Sequence, residues 1–532
     1  MVSTNNAAPR RPEASGPVGG WQATPLHGPW ADLSLFGRRW PGPGRPASAA
    51  TVAAVGAAGV VAALSVPLDR GGVGWAVTAM AGVAALVVAR VVPGRPAGPA
   101  PLVPWQPRTL GPERFGWSAA TVALLSVGTV RAAGWLIVLC LLTALLTGAL
   151  AVTGGRSARG IALAALMAPF AGMRGLPWLA RGATVLRRTG GGLRVTATIG
   201  VSVALLLVFG SLFASADAAF AGLVASVVPD LDAGTVARWV FAFCAAVCVL
   251  GGAAFLRAAP PDLSGLDGGG NRRVARLEWA IPLSLLVLLF GLFVGIQLTV
   301  LFGGSRHVLD TDGLTYAQYA RSGFWQLLVV TGLTLLVLAG AARWAPRETR
   351  TDRVLIRSVL GTLALLTLVV VASALHRMNV YSDTYGLTRL RVLVALCELW
   401  LGVVFLLVLA AGVRLRARWL PQAVIAAGVL ALLGLAAANP DRLIADRNVT
   451  RYEQTQRIDT AYLSNLSADA VPALNRLGRP HRDCALDPIN RRLERQPDDW
   501  RGWSLGREEA RDVLAENPPA FSLTCPRPYA GE

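Results

Sequence analysis

The dominant feature of this sequence is a series of apolar runs, each about twenty residues long, which is the length of a helix that crosses the hydrocarbon core of a bilayer. Backbone groups within lipid have no water to bind, so runs of this length fold as helices that satisfy their own hydrogen bonds. Only 15% of the residues are charged, whereas soluble domains average about 25%. The predicted fold class is therefore all-α, a polytopic α-helical membrane protein.

The apolar runs divide the chain into three parts. Residues 1–46 are rich in Pro, Gly and Arg and lack periodicity, which predicts a disordered cytoplasmic tail. Residues 47–438 form the transmembrane helical domain, and residues 439–532 form a polar, soluble C-terminal segment. Eleven transmembrane helices are predicted, at about 47–67, 73–92, 115–130, 132–153, 195–215, 237–256, 279–302, 323–342, 354–375, 391–413 and 419–438.

One further apolar segment, residues 161–180, is ambiguous. It contains Pro169 and Pro177, Arg174 interrupts it, and arginines flank it on both sides. We interpret it as an interfacial or re-entrant helix. A full span is the alternative.

The distribution of arginine predicts the orientation, because short cytoplasmic loops carry the excess of basic residues. All fifty basic residues are arginine. With the N-terminus in the cytoplasm, 28 arginines lie in inside segments and 8 in outside loops, and eleven spans then make the C-terminal segment extracytoplasmic. This split requires that residues 161–180 do not cross. The C-terminal segment holds 14 arginines and 15 acidic residues, so the net charge of +19 is no argument for binding nucleic acid.

The six cysteines predict one disulfide. Four of them fall within predicted spans, where a small apolar residue is the ordinary interpretation. Cys484 and Cys525 lie in the C-terminal segment, and two cysteines in an oxidising compartment can pair. The cysteines have neither the spacing nor the neighbouring histidines of a zinc site, so no metal site is predicted.

Polar residues from several outer connections are predicted to meet on the extracytoplasmic side and to bind a ligand. Arg389 and Arg391 occur on the side where arginine is otherwise scarce, within the stretch HRMNVYSDTYGLTRLRV. The predicted ligand-binding residues are Asp217, Tyr316, Tyr319, Arg321, Tyr381, Tyr385, Arg389, Arg391 and Glu398.

Each of these residues also has a structural interpretation. Tyrosines at a membrane boundary are commonly interfacial anchors. Arg389 and Arg391 could pair with acidic residues such as Asp217, Asp383 or Glu398, or could bind a lipid phosphate or a carboxylate. Glu398 lies inside a predicted span, where an ionisable group is costly and commonly functional, although it could equally be a structural partner of one of the two arginines.

The sequence contains no recognised catalytic motif. GxGxxG after a strand, the phosphate-binding P-loop, HExxH and GxSxG are all missing, and without lysine the chain cannot form a Schiff base with a substrate. No catalytic residue and no cofactor is predicted, and an enzymatic role is not favoured.

Three blocks, LFASADAAFAGLV, TYAQYARSGFWQLLVV and VYSDTYGLTRLRV, resemble the recurrent blocks of a bacterial integral membrane family. This family is defined only as a domain of unknown function, numbered 4153 or 4173 in its two variants. The resemblance covers roughly residues 115–440 and implies a multi-span membrane protein, often actinobacterial, with no established activity. It implies no catalytic residues.

These observations favour a non-enzymatic protein of the cell envelope that binds a lipid, a small anionic ligand or a partner protein through the outward-facing polar cluster. A secondary transporter or flippase that uses Glu398 is the first alternative. A membrane-embedded transferase with Asp217 or Asp312 as base is the second.

Overall fold

A computed structural model describes residues 42–91, 111–154, 158–188, single positions and short pieces between 198 and 222, and residues 233–259, 275–302, 324–346, 348–414, 418–520 and 525. Within these ranges every regular element is a helix. The all-α fold class is therefore confirmed. Residues 1–41 of the predicted tail and much of the predicted span 195–215 lie outside the described residues.

Eleven long helices make up the apolar region of the described chain. Eight of them, α4 to α11, are long and apolar enough to cross a membrane, and α1 and α2 are shorter apolar helices. The number of spans stays a prediction. The bounds are α1 Ala49–Ser65, α2 Val73–Val91, α3 Pro112–Val130, α4 Gly134–Thr153, α5 Ala158–Arg188, α6 Ala233–Ala258, α7 Arg276–Phe302, α8 Phe324–Trp344, α9 Arg350–Tyr385, α10 Arg389–Arg414 and α11 Leu420–Ala438.

The helices pack as two groups. In the first group α1 lies against α2 and α6, α5 lies against α6, and α3 lies against α2 and α4. In the second group α9 packs against α7, α8 and α10 around Leu363, Ala364 and Phe405, which are fully buried. Helix α11 joins the groups, since it contacts α10 on one side and α3 and α4 on the other.

Helix α5 is continuous through Pro169 and Pro177, and it packs closely along α6. The contact uses glycines: a Cβ atom on Gly172 would lie 2.6 Å from the Cys248 sulfur, and one on Gly252 would lie 2.6 Å from the Gly172 nitrogen. Small residues of this kind allow two helix backbones to approach closely. The described part of α5 is apolar enough to span a membrane, so whether it crosses or lies at the interface stays a prediction.

Helix α9 extends ten residues beyond the predicted span. The apolar run ends at Leu375, but the helix continues to Tyr385 and ends only at Gly386, whose φ of 83° favours glycine. The polar stretch after Leu375 is therefore a helical extension, and residues 386–388 alone connect α9 to α10.

The C-terminal segment folds into a small helical unit, residues 439–520, which we call the cap. Its elements are α12 Pro440–Thr455, α13 Thr460–Leu463, a 3₁₀ turn Ala468–Ala470, α14 Val471–Leu474, α15 His481–Arg495 and α16 Leu505–Glu516. Its apolar side chains join those of α3, α4 and α11 in a single core. Cys484 in α15 and Cys525 form a disulfide, which is the predicted pair.

A single residue, Asn439, joins α11 to the first helix of the cap. Asn439 takes a positive φ of 52°, and its side chain caps α12 by accepting from the Arg442 N–H. Pro440 follows at the first helical position, where its missing N–H is harmless. This abrupt turn places Asp441 directly at the end of the helical region.

Candidate functional site

The cap covers one end of the helical region, where three short helix-to-helix connections meet. The start of α2 donates from Val73 N–H to the Trp503 carbonyl, at 3.1 Å. The α3–α4 connection donates from Ala132 N–H to Asp469 Oδ2, at 2.8 Å. In the α9–α10 connection, the Leu387 carbonyl accepts from the side-chain amide of Asn448, at 2.8 Å. We call this end of the molecule the capped end.

Asp441 is the centre of the capped end and is fully buried. Its carboxylate accepts from both arms of the Arg389 guanidinium, with Nε at 3.0 Å, and from the Trp135 indole N–H, also at 3.0 Å. The Ser467 backbone N–H donates at 2.8 Å. Burial alone would raise the pKa of Asp441, but hydrogen bonds and the charge of Arg389 hold that pKa below its usual value.

Arg389 is therefore a structural ion at the junction of α10 and the cap. Its backbone N–H also donates to the Tyr462 hydroxyl, at 2.7 Å. The structure pairs Arg389 with an acidic residue, as one sequence interpretation held, but that residue is Asp441 and none of Asp217, Asp383 and Glu398.

A second buried carboxylate, Asp469, binds the α3–α4 connection. Besides Ala132 N–H, it accepts from the Ser467 hydroxyl at 3.0 Å. Burial raises the pKa of Asp469 despite these donors. Nearby, Arg131 donates to the last carbonyls of α11, Ala436 at 2.6 Å and Ala437 at 3.0 Å, where a cation opposes the negative end of the helix dipole.

A third contact joins the cap to the α1–α2 connection. Asp498, with a side chain that is 3% exposed, accepts from Arg70 at 3.0 Å, Arg507 at 2.8 Å and Arg511 at 2.9 Å. Arg507 and Arg511 belong to the cap itself, so the pair with Arg70 is the one that joins the cap to the α1–α2 connection, together with the hydrogen bond from Arg507 to the Gly71 carbonyl, at 2.7 Å.

Arg391 and two tyrosines form a cluster beside the α9–α10 connection. The Arg391 guanidinium stacks over the Tyr381 ring, 4.2 Å from its centroid, and donates to the Gly386 carbonyl. The Tyr381 and Tyr385 ring centroids are 5.0 Å apart. Stacking a guanidinium on an aromatic face is favourable and also fixes the orientation of the charged group.

Arg451 approaches the same connection from the cap. It donates to the carbonyls of Thr384 and, at 3.3 Å, of Arg457, while its Nε is buried and has no hydrogen-bond partner within the described chain. Burial, together with the positive charges of Arg457 and Arg391, lowers the pKa of Arg451.

Glu398 lies in the third turn of α10 and has no accessible surface. Neither of its carboxyl oxygens has a hydrogen-bond partner in the described ranges. One turn further along α10, the Cβ that Gly402 lacks would lie 3.4 Å from Val371 of α9. Glu398 is therefore buried in α10 without a polar partner in the described chain, and it pairs with neither Arg389 nor Arg391.

The other predicted site residues are not placed at this end by the structure. Asp217 is exposed and accepts from the Phe220 N–H at 2.9 Å, which is a local turn. Tyr316, Tyr319 and Arg321 lie outside the described residues. The structure thus brings together Tyr381, Tyr385, Arg389 and Arg391, at the α9–α10 connection.

Sequence reasoning missed Asp441, Arg451 and Asp469. One signal was available for Asp441, since an acidic residue directly after the last span lies on the same side as Arg389 in the predicted topology. No comparable pattern marks Arg451, which is one of many arginines in the cap. In the described ranges, no group of three His, Cys, Asp or Glu side chains could hold a metal ion.

Comparison with known proteins gives one match. A family model described as a domain of unknown function, DUF4153, matches residues 119–477. It covers most of the described helical region and the first part of the cap, and it confirms the predicted family resemblance. No curated protein and no solved structure matches the chain.

Proposed function

The chain belongs to the DUF4153 family, and we propose that this member is a multi-pass protein of the cell membrane that binds a lipid, a small anionic ligand or a partner protein at its capped end. In this proposal the N-terminus is cytoplasmic and the cap is extracytoplasmic, in agreement with the arginine distribution.

The observation that supports binding is the way Asp441 couples the cap to the helices. One buried carboxylate joins Arg389 of α10, Trp135 of α4 and Ser467 of the cap. Binding groups are most effective when rigid elements hold them. Here the polar side chains of the α9–α10 connection and those of α12 are held in one fixed arrangement.

The proposal is tested by identifying what the full chain retains when it is purified in a mild detergent. Mass spectrometry of the wild type should find a lipid or small molecule that is depleted in Asp441→Asn, because the cap then loses its main contact with α10. Asp512→Asn, an exposed acid in α16, is the matched control and should retain the ligand. The same retained molecules in wild type and Asp441→Asn would contradict binding at the capped end.

Glu398 supports a second candidate, a secondary transporter or flippase. Its carboxyl group is fully enclosed and has no hydrogen-bond donor in the described chain. Such groups within a membrane commonly carry protons or bind cations during transport. Proton uptake into proteoliposomes, measured with a pH-sensitive dye, should be present in the wild type and lost in Glu398→Gln. Equal uptake by both proteins, or by neither, would reject this candidate.

A further inference from the structure

We propose that Arg391 and Arg451 form a binding site for a phosphate group, supplied either by a phospholipid headgroup or by a free phosphate. The proposal rests on the proposed function, because it names the chemistry of the ligand at the capped end.

The two guanidinium groups converge on the α9–α10 connection from opposite elements. Arg391 reaches it from the first turn of α10 and donates to the Gly386 carbonyl. Arg451 reaches it from α12 and donates to the Thr384 carbonyl. Gly386 also lies close to α12, since a Cβ atom at this position would lie 3.7 Å from Arg451 Nη1 and 2.3 Å from the side-chain oxygen of Asn448.

Neither group is neutralised by the described chain. Two other arginines of the capped end are paired with carboxylates, Arg389 with Asp441 and Arg507 with Asp498. Within the described ranges Arg391 and Arg451 have no acidic partner, and they bind only backbone carbonyls and one tyrosine ring. The two positive charges repel each other, and the charge of Arg391 contributes to the lowered pKa of Arg451, after burial and the charge of Arg457.

An anion would relieve this repulsion and use the donors that remain. The buried Nε of Arg451 lacks a partner among the residues that the structure describes, and each guanidinium carries five N–H donors, of which the connection uses a minority. Planar guanidinium groups suit phosphate because two parallel N–H donors can bind two of its oxygens. The Arg391 group is already oriented by its stacking on Tyr381, which lowers the cost of ordering it.

The position of the site suits a phosphate at the membrane surface. Arg391 lies in the first turn of α10, a helix apolar enough to cross the bilayer, so its guanidinium lies near the level of the lipid headgroups. Tyr385 is half-exposed beside it and typical of a residue at that boundary. The positive end of the α10 dipole adds to the field of the two arginines.

The experiment uses the full chain and two phosphate sources. In the first arm, protein reconstituted in nanodiscs of phosphatidylglycerol and phosphatidylcholine is released and analysed by native mass spectrometry for retained phosphatidylglycerol. In the second arm, protein in detergent is titrated with inorganic phosphate against chloride at equal ionic strength, and its thermal unfolding is followed. The variants are Arg391→Gln, Arg451→Lys, the double variant Arg391→Gln/Arg451→Gln, and Arg495→Gln as an exposed control.

Retention of phosphatidylglycerol by the wild type and the control identifies a lipid headgroup as the ligand. A thermal shift with inorganic phosphate, without lipid retention, identifies free phosphate. In either case the double variant should lose about tenfold or more in apparent affinity, since one charged hydrogen bond contributes enough for that change. The apparent affinity of Arg451→Lys should lie between those of the wild type and the double variant, because lysine keeps the charge and loses the planar donors.

The unfolding temperature without added anion is a second measurement, which distinguishes a phosphate-binding role of Arg391 from a purely structural one. Without added anion, Arg391→Gln should change the unfolding temperature little, because the variant removes repulsion from Arg451 together with the stacking on Tyr381 and the hydrogen bond to the Gly386 carbonyl. Equal affinity of wild type and double variant in both arms, or no binding by the wild type in either arm, would overturn the proposal. If the purified chain retains only an uncharged ligand, binding at the capped end stands and the phosphate site does not.

Discussion

At the residue scale, the capped end depends on buried carboxylates. Asp441 is the strongest case, because it has no accessible surface and accepts from two side chains and a backbone N–H. A buried charge is tolerated only when partners replace the lost water. Arg389 and Trp135 replace that water by donating hydrogen bonds to the carboxylate. The same hydrogen bonds fix the positions of the two side chains.

Asp441→Asn should lower the free energy of unfolding by about 2–4 kcal/mol. This loss is smaller than for a fully buried ion pair, because a third of the Arg389 side chain is exposed to solvent. The folded-state pKa of Asp441 is lowered. Its contribution to stability is therefore complete above the unfolded pKa of about 4 and is lost as the pH falls through the lowered folded value.

Thermal unfolding in detergent measures this change, and a double-mutant cycle with Arg389→Gln isolates the pair. Additive effects of Asp441→Asn and Arg389→Gln would mean that the two side chains do not interact.

The arginine distribution was enough to single out Arg389 and Arg391, because the predicted topology places both on the side whose loops hold few arginines. It was not enough to find the partner of Arg389. Asp441 lies 52 residues further along the chain, and the contact exists only because the cap folds back onto α10. A contact of this kind depends on tertiary docking, which leaves no local pattern in the sequence.

At the element scale, apolar runs predict where helices exist better than where they end. The run that predicts α9 stops at Leu375, yet the helix continues to Tyr385. Leaving the apolar layer does not break a helix, because its hydrogen bonds are internal. A residue that needs a positive φ does end it, and Gly386 is that residue.

The contact between α5 and α6 should depend on glycine. Gly172→Val should disrupt it, since even a Cβ atom there would lie 2.6 Å from the Cys248 sulfur. Gly291→Val is the matched control, because no described residue lies within 4 Å of the Cβ position of Gly291 in α7. The unfolding temperature should fall by several degrees for Gly172→Val and should change little for the control. Equal effects would mean that α5 and α6 do not pack closely.

At the scale of the whole molecule, the cap restricts the topology. The connections α1–α2, α3–α4 and α9–α10 all contact it, so they lie at one end of the helical region. If α4, α7, α8 and α9 each cross the membrane once, the chain must cross an even number of times between Gly154 and Arg276. The predicted spans 195–215 and 237–256 satisfy this condition with α5 at the interface. A reporter inserted after Arg188 should then be cytoplasmic.

The sequence predicts a helical architecture because a segment that crosses lipid needs a long apolar run, and such a run folds as a helix. It predicts a separate polar C-terminal segment for the same reason. The docking of that segment could not be predicted, since it depends on side chains such as Asp469 and Asp498. No local sequence pattern distinguishes these two residues from the other acidic residues of the segment. Their partners, the turn at Ala132 and the side chain of Arg70, come from distant parts of the chain.

The central claim is that the cap docks on one end of the helices, which we propose is the extracytoplasmic end. Cross-linking of Arg70→Cys with Asp498→Cys in intact cells by a short, membrane-impermeant bis-maleimide tests it directly, because these side chains are 3.0 Å apart in the structure. The pair Arg70→Cys and Arg418→Cys, with Arg418 between α10 and α11, is the control. We expect a cross-link in the first pair and none in the second. No cross-link in the first pair, with either this reagent or a permeant one, would contradict the docked cap.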